Sequence, residues 1–120
     1  MTTTKDTQIA DEVLAERDRQ DAKWGAPHDQ PDGTGPYSSP LLRILGAGIT
    51  ALDLADRART ATDEAIADGT VTLTDILLEE VFKALAEEAA TPLRTELTQV
   101  AAVCVKWARI IDERAEKAAR

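Results

Sequence analysis

Apolar residues in the C-terminal third of the chain repeat at alternating intervals of four and three residues. The run comprises Leu93, Leu97, Val100, Cys104, Trp107 and Ile111. Because an α-helix turns once in about 3.6 residues, this spacing puts the six side chains on one face over about three heptads. Val103 and Ile110 widen that face, which is typical of a helix in a bundle rather than in a two-stranded coil. The pattern predicts a long amphipathic helix that ends near residue 117.

Three earlier segments also have helical periodicity, and β-branched runs are scarce. These segments are residues 7–23, 41–68 and 75–88. We therefore predict an all-α fold, a bundle of about four helices that forms a single domain over residues 1–120. The last two helices are separated by only a few residues, so we expect them to form an antiparallel hairpin.

Residues with known preferences for helix ends mark the boundaries of the later helices. Gly69 is suited to the C-terminal end of the second helix, since glycine readily adopts the left-handed conformation that ends many helices. Thr72 or Thr74 can cap the third helix. Thr91 followed by Pro92 predicts the N-cap and first residue of the fourth helix.

A long segment rich in proline and glycine follows the first helix. Residues 25–40 contain four prolines and three glycines, beginning with Gly25. Loops of this length in small domains are more often functional lids or disordered segments than simple connections. Gly46 and Gly48 leave the start of the second helix uncertain, and its firm part is residues 49–68.

The charge balance narrows the classes of partner. The chain has 22 acidic and 14 basic side chains, for a formal net charge of −8. This balance argues against general binding of nucleic acids or anionic membranes, which depends on clustered Lys and Arg. One cysteine, Cys104, and one histidine, His28, exclude an intrachain disulfide and a Cys/His zinc cluster. With a polar N-terminal segment and no long apolar stretch, we expect a soluble, cytoplasmic protein.

Two carboxylates fall at or near apolar helix faces. Glu96 projects into the apolar face of the fourth helix, and Glu80 lies at the edge of the apolar face of the third. A buried carboxylate needs a hydrogen-bond donor or a cation, and carboxylates from facing helices hold divalent cations in bundles. Glu79 and Lys83 have the favourable i,i+4 order of a solvated ion pair, worth about 0.3–0.5 kcal/mol.

Three segments together resemble the all-α nucleoside triphosphate pyrophosphohydrolases of the MazG type, and in particular the small MazG-like proteins of actinobacteria and their phages. They are residues 16–25 (Glu-Arg-Asp-Arg-Gln-Asp-Ala-Lys-Trp-Gly), 79–83 (Glu-Glu-Val-Phe-Lys) and 96–103 (Glu-Leu-Thr-Gln-Val-Ala-Ala-Val). The resemblance covers both ends of the chain and the third helix, and the second helix is only loosely similar. It implies a helical fold, a homodimer or higher assembly, and Mg²⁺-dependent cleavage of a nucleoside triphosphate to monophosphate and pyrophosphate.

The family pattern is Glu-Glu-x-x-Glu on one helix and Glu-x-x-Asp on the next. Glu79 and Glu80 match the opening pair, and Glu96 matches the start of the second motif. Lys83 and Gln99 stand at the remaining two acidic positions. The resemblance therefore implies that Glu80, Glu96 and the neutral Gln99 hold Mg²⁺, while Glu79 assists and Lys83 contacts a phosphate or neutralises the carboxylates.

The lysine weakens the expected metal site. An ammonium about 4 Å from a dication would cost on the order of 8 kcal/mol at an effective dielectric constant of about 20. Whether the chain is an enzyme is therefore left open. The alternative is a catalytically inactive helical module for nucleotide sensing or protein–protein assembly.

Other candidate residues each have a structural alternative. Lys23 and Trp24 are candidates for nucleotide binding, because an indole can stack on a base and an ammonium can meet a phosphate. Anchoring of the loop to the core is the favoured explanation for Trp24, and His28 is expected to be a loop residue. For Trp107 and Cys104, which lie in the apolar repeat, burial in the core is the stronger expectation.

Overall fold

The computed structural model of the protein describes residues 4–25 and 30–120 and contains five α-helices in this part of the chain. They are α1 (Thr4–Trp24), α2 (Ser39–Leu45), α3 (Ala51–Asp68), α4 (Leu73–Leu85) and α5 (Ala90–Ala118). No strand occurs among the described residues. The all-α prediction is confirmed, with five helices rather than about four.

The additional helix arises because the predicted helix over 41–68 is interrupted. Gly46 and Gly48 have φ values of +86° and +121°, which a right-handed helix does not contain. The chain thus leaves α2 at Gly46, and α3 starts after Thr50. Proline at the start of α2 fits there, because the first-turn N–H groups have no partner within the helix.

Side-chain caps begin α3 and α4. Thr50 accepts a hydrogen bond from the Asp53 backbone N–H, and the Asp53 carboxylate accepts one from the Thr50 N–H. Thr72 and Asp75 form the same reciprocal pair, which confirms Thr72 as a cap. Gly69 ends α3 in the left-handed conformation, with φ +73°, as its position predicts.

The predicted N-cap at Thr91 is wrong, because α5 already begins at Ala90. Thr91 lies in the first turn, where its carbonyl accepts a hydrogen bond from Thr95 Oγ1. Pro92 also lies in this turn, whose N–H groups point out of the helix, so the missing donor is tolerated there.

The chain divides into two compact units. The first comprises Met1–Pro31 and Cys104–Arg120, and the second is Asp32–Val103. In the first, Arg109 donates to both carboxylate oxygens of Asp6 at 3.2 Å, and Lys5 forms an ion pair with Glu116. Ile9 is its buried apolar residue among those described.

The second unit contains α2, α3, α4 and the first part of α5. Its closest-packed helix pair is α3 and α4, where Thr62 Oγ1 donates to the Asp75 carbonyl at 3.2 Å. Ala51, Ala84 and Leu93 are buried, so the core of this unit is formed by small and aliphatic side chains.

The apolar repeat on α5 is only partly buried. Leu93 is buried and Trp107 is half-buried, whereas Leu97 and Ile111 are each more than half exposed. Cys104 is an exposed free cysteine, so the expectation of a buried thiol is wrong. The helical periodicity locates the apolar face correctly, but within the chain that face is not fully covered.

The later part of the predicted loop at 25–40 is held against neighbouring helices. The Gly35 N–H donates to the Leu85 carbonyl at 2.9 Å, and the Leu52 N–H donates to the Pro36 carbonyl at 3.3 Å. Ser38 is buried, and its hydroxyl donates to the Gly33 carbonyl at 2.6 Å. His28 lies outside the described residues. None of the described helices combines the length and the apolar character needed to cross a membrane.

Candidate functional site

Helices α4 and α5 bring four of the residues singled out in the sequence together. Lys83 Nζ lies 3.1 Å from Glu80 Oε2 and donates a hydrogen bond of 3.1 Å to Gln99 Oε1. Glu96 belongs to the same group, since the charges of Lys83 and Glu80 both act on its carboxylate. We call Glu80, Lys83, Glu96 and Gln99 the α4–α5 cluster.

The partners of Lys83 differ from the expected ones. Helical spacing predicts an ion pair between Lys83 and Glu79, but the ammonium pairs with Glu80 instead. Within the described residues, Glu79 has neither an ion-pair nor a hydrogen-bond partner. The ammonium also has an acceptor on the neighbouring helix, the carbonyl oxygen of Gln99.

Two buried oxygen atoms of the α4–α5 cluster lack a hydrogen-bond donor. They are Glu80 Oε2 and Glu96 Oε2. The approach of Lys83 to Glu80 Oε2 is close enough for an ion pair, but its geometry is not that of a hydrogen bond. Buried polar atoms nearly always have partners, so two such carboxylate oxygens mark a place suited to a cation.

The pKa of the Glu96 carboxyl group lies above its ordinary value. Burial raises its pKa above the ordinary value, and the negative charges of Glu87 and Glu80 raise it further, while the Lys83 ammonium lowers it. Burial is the largest of these causes, and the positive charge of Lys83 does not offset the combined effect of burial and the two carboxylates on this pKa.

Glu87 is the one member of this environment that the sequence did not single out as a candidate. Its Oε1 atom accepts hydrogen bonds from the backbone N–H groups of Glu88 and Ala89, at 3.1 and 3.2 Å. An acidic residue just before a helix is a recognisable signal, since carboxylates stabilise helix N-termini. Glu87 thus accepts hydrogen bonds from backbone N–H groups just before α5, and it adds negative charge near Glu96.

The fit of these residues to Mg²⁺ depends on Lys83. Glu80 and Glu96 supply two carboxylates with unpartnered oxygens, and Gln99 supplies a neutral oxygen, which are donor types that Mg²⁺ accepts. Across residues 4–25 and 30–120, no group of three or more His, Cys, Asp or Glu side chains could hold a metal ion. The set therefore fits a weak site, provided that the half-exposed Lys83 side chain moves away from Gln99 and Glu80.

Lys23 and Trp24 lie at the end of α1, in the other compact unit. Lys23 Nζ sits 4.6 Å from the centre of the Trp24 ring, a cation–π contact. Trp24 is 62% exposed, so the expectation that it anchors the loop in the core is wrong. Its ring is accessible for stacking, and a cation stands beside it.

An apolar groove between α3 and α4 was not predicted. It has a volume of about 230 Å³ and is lined in part by Leu54, Ala58, Leu78 and Phe82, with Arg57 also present. The apolar stripes of both helices are visible in the sequence, but a groove between them depends on how closely the helices pack.

Comparison of the chain with protein-family models, with curated proteins and with solved structures found no match.

Proposed function

We propose that this chain is a MazG-like nucleotide pyrophosphohydrolase or a nucleotide-binding relative, which hydrolyses a nucleoside triphosphate to monophosphate and pyrophosphate if it is active. The supporting observation is the pair of buried carboxylate oxygens without hydrogen-bond donors, on Glu80 and Glu96. Such a pair on neighbouring helices is how helical bundles hold divalent cations. The motifs at residues 79–83 and 96–103 support the same assignment.

In this proposal each candidate residue has a role that follows from its chemistry. Glu80, Glu96 and Gln99 would hold Mg²⁺, which would supply positive charge to the triphosphate. Lys83, displaced from Gln99, contacts a phosphate, and Glu79 accepts a proton from the attacking water. In the first compact unit, at the end of α1, Trp24 and Lys23 are a separate candidate for contact with a base and a phosphate.

Pyrophosphate release tests the enzymatic proposal. We expect slow release from at least one member of a panel of canonical and modified triphosphates, with Mg²⁺ or Mn²⁺ present. Glu96→Gln should abolish it, whereas Glu64→Gln, an exposed change on α3, should not. Absence of release, together with no thermal stabilisation by metal or nucleotide, would overturn the proposal.

The contacts of Lys83 favour a second candidate, a catalytically inactive helical module for nucleotide sensing or assembly. The ammonium already bonds Gln99 and pairs with Glu80, so the α4–α5 cluster is partly neutralised without a metal ion. Nucleotide-dependent thermal stabilisation without pyrophosphate release would identify a nucleotide sensor. Release that depends on Glu96 would exclude this candidate.

We further propose that the chain forms a homodimer or a higher homo-oligomer in the cytoplasm, where nucleoside triphosphates are abundant. Exposed apolar side chains support assembly, among them Val13 and Leu14 on α1 and Ile66 on α3. Light scattering coupled to gel filtration should give at least twice the chain mass of 13.0 kDa. A mass equal to one chain at high protein concentration would contradict this.

A further inference from the structure

The Lys83 ammonium contacts oxygen atoms of Glu80 and Gln99, two of the residues to which the proposed function assigns Mg²⁺. We propose that Lys83 is a tethered cation, which partly neutralises Glu80 and Glu96 from within the chain and competes with divalent metal ions for their oxygen atoms. The residue would then determine which cation the α4–α5 cluster accepts. The inference rests on the proposed function only in taking this cluster as the place of the cation.

The first observation that supports the proposal is which oxygen atoms the Lys83 ammonium contacts. Its nitrogen lies 3.1 Å from Glu80 Oε2 and 3.1 Å from Gln99 Oε1, so it links a carboxylate on α4 to an amide on α5. The contact with Gln99 is a hydrogen bond and the contact with Glu80 is an ion pair, and both suit a positively charged donor. The oxygen atoms it contacts belong to the residues that a divalent cation would need.

The second support is the charge around the ammonium. The Lys83 ammonium pairs with Glu80 on α4, and the carboxylate of Glu96 on α5 also lies within range of its charge. The side chain of Glu80 is 21% exposed and that of Lys83 is 44% exposed, which places the carboxylate inward of the ammonium. Removing the lysine charge would leave the inner carboxylates without compensation.

A divalent cation and the ammonium therefore compete. A cation bound to Glu80 and Gln99 would lie within a few ångströms of Lys83 Nζ, where like charges repel strongly. Wild-type protein should bind divalent ions only when the lysine side chain leaves these acceptors. Replacing it with a neutral side chain of similar length should remove the competitor and leave the oxygens in place.

Manganese binding to the full chain tests this directly, because free Mn²⁺ is measured by its electron paramagnetic resonance signal. We expect Lys83→Met to bind Mn²⁺ at least about tenfold more tightly than the wild type. Lys83→Arg, which keeps the positive charge, should bind as weakly as the wild type. The matched control is Lys106→Met, which makes the same charge change at an exposed position on α5.

The location of the gained site is tested by a double variant. Lys83→Met with Glu96→Gln should lose the added Mn²⁺ affinity, and Mg²⁺ should compete for the site in the single variant. Circular dichroism verifies that each variant is helical, and Lys83→Gln replaces Lys83→Met if the latter does not fold. Equal Mn²⁺ affinity in the wild type, Lys83→Met and Lys106→Met overturns the proposal, as does a gain that persists without Glu96.

The result is separable from that of the proposed function, because the binding measurement needs no nucleotide. If the lysine variants gain Mn²⁺ affinity but no variant releases pyrophosphate, the tethered cation stands and the enzymatic proposal fails. If wild-type protein releases pyrophosphate and Lys83→Met gains no Mn²⁺ affinity, the enzyme stands and the tethered cation fails.

Discussion

The neighbours of Glu96 shift the pKa of its carboxyl group in opposite directions. Its carboxyl group is partly buried beside Glu87 and Glu80, and the ammonium of Lys83 stands close by. Burial and the two carboxylates raise its pKa, so protonation is easier in the folded chain than in the unfolded one. Such a group contributes stability that is complete below its unfolded pKa and is lost as pH rises through its folded pKa.

This direction gives a testable dependence of stability on pH. At neutral pH, Glu96→Gln should increase the free energy of unfolding, by about 1 kcal/mol, because an unfavourable buried charge is removed. The gain should shrink as pH falls below the folded pKa. Urea unfolding between pH 4 and pH 7 measures this, with the exposed Glu64→Gln as control. A gain that is the same at all pH values would contradict the assignment.

Activity can be tested by restoring acidic residues at positions 83 and 99, where the MazG-type pattern has Glu and Asp. Lys83→Glu combined with Gln99→Asp replaces the ammonium and the amide by carboxylates, which are preferred ligands of Mg²⁺. We expect pyrophosphate release above that of the wild type, at least about tenfold. Adding Glu96→Gln should remove the gain. A folded double variant without activity would show that the surroundings of the α4–α5 cluster no longer accept a triphosphate.

At the scale of elements, α3 and α4 depend on their reciprocal threonine–aspartate caps. These caps satisfy backbone N–H groups that have no partner within a helix. Hydrogen bonds from Thr50 and Thr72 also lower the pKa values of Asp53 and Asp75. A lowered pKa means that this contribution to stability is present above the unfolded pKa and is lost as pH falls through the folded pKa.

Removal of the hydroxyl at Thr72 tests the cap of α4. Thr72→Ala should lower the free energy of unfolding by about 1 kcal/mol, because the helix loses a side-chain acceptor for its first turn. Thr72→Ser should retain most of the stability. Thr74→Ala, an exposed change inside α4, serves as the matched control. Equal unfolding midpoints for Thr72→Ala and Thr74→Ala would show that the cap is unimportant.

The positions of the helices could largely be predicted from the sequence, because helical periodicity and helix-end signals depend on residues that are close together in the chain. Thr72 and Gly69 were located correctly for this reason, and the glycines at 46 and 48 were recognised as a difficulty. The contact of Lys83 with Gln99 was not accessible, since it depends on the distance between α4 and α5. The exposure of Cys104 was missed because spacing identifies an apolar face without showing what covers it.

At the scale of the whole molecule, burial is unequally distributed. Residues 11–20 of α1 are all exposed, whereas α3 and α4 include the buried Ala51, Thr62 and Ala84. Local opening requires little free energy where few side chains are buried. The middle of α1 should therefore open more readily than α4.

Amide hydrogen exchange followed by mass spectrometry checks this difference. In dilute solution, where assembly is least, amides of residues 12–20 should have protection at least about tenfold lower than those of residues 76–84. Protection of α1 that increases with protein concentration would identify a face covered by a second copy. Equal protection of the two segments at the lowest concentration would contradict the prediction.

The two tryptophans differ in solvent exposure, so the intrinsic fluorescence of the chain can be used to follow each of them. Trp24 is 62% exposed with Lys23 beside its ring, and Trp107 is half-buried. The two indoles therefore emit from environments of different polarity, and a small quencher reaches Trp24 more readily. With Trp107 replaced by phenylalanine, the remaining tryptophan fluorescence would come from Trp24, the ring proposed to stack on a base. Nucleotide binding would then be detected as a change in this fluorescence, without an added label.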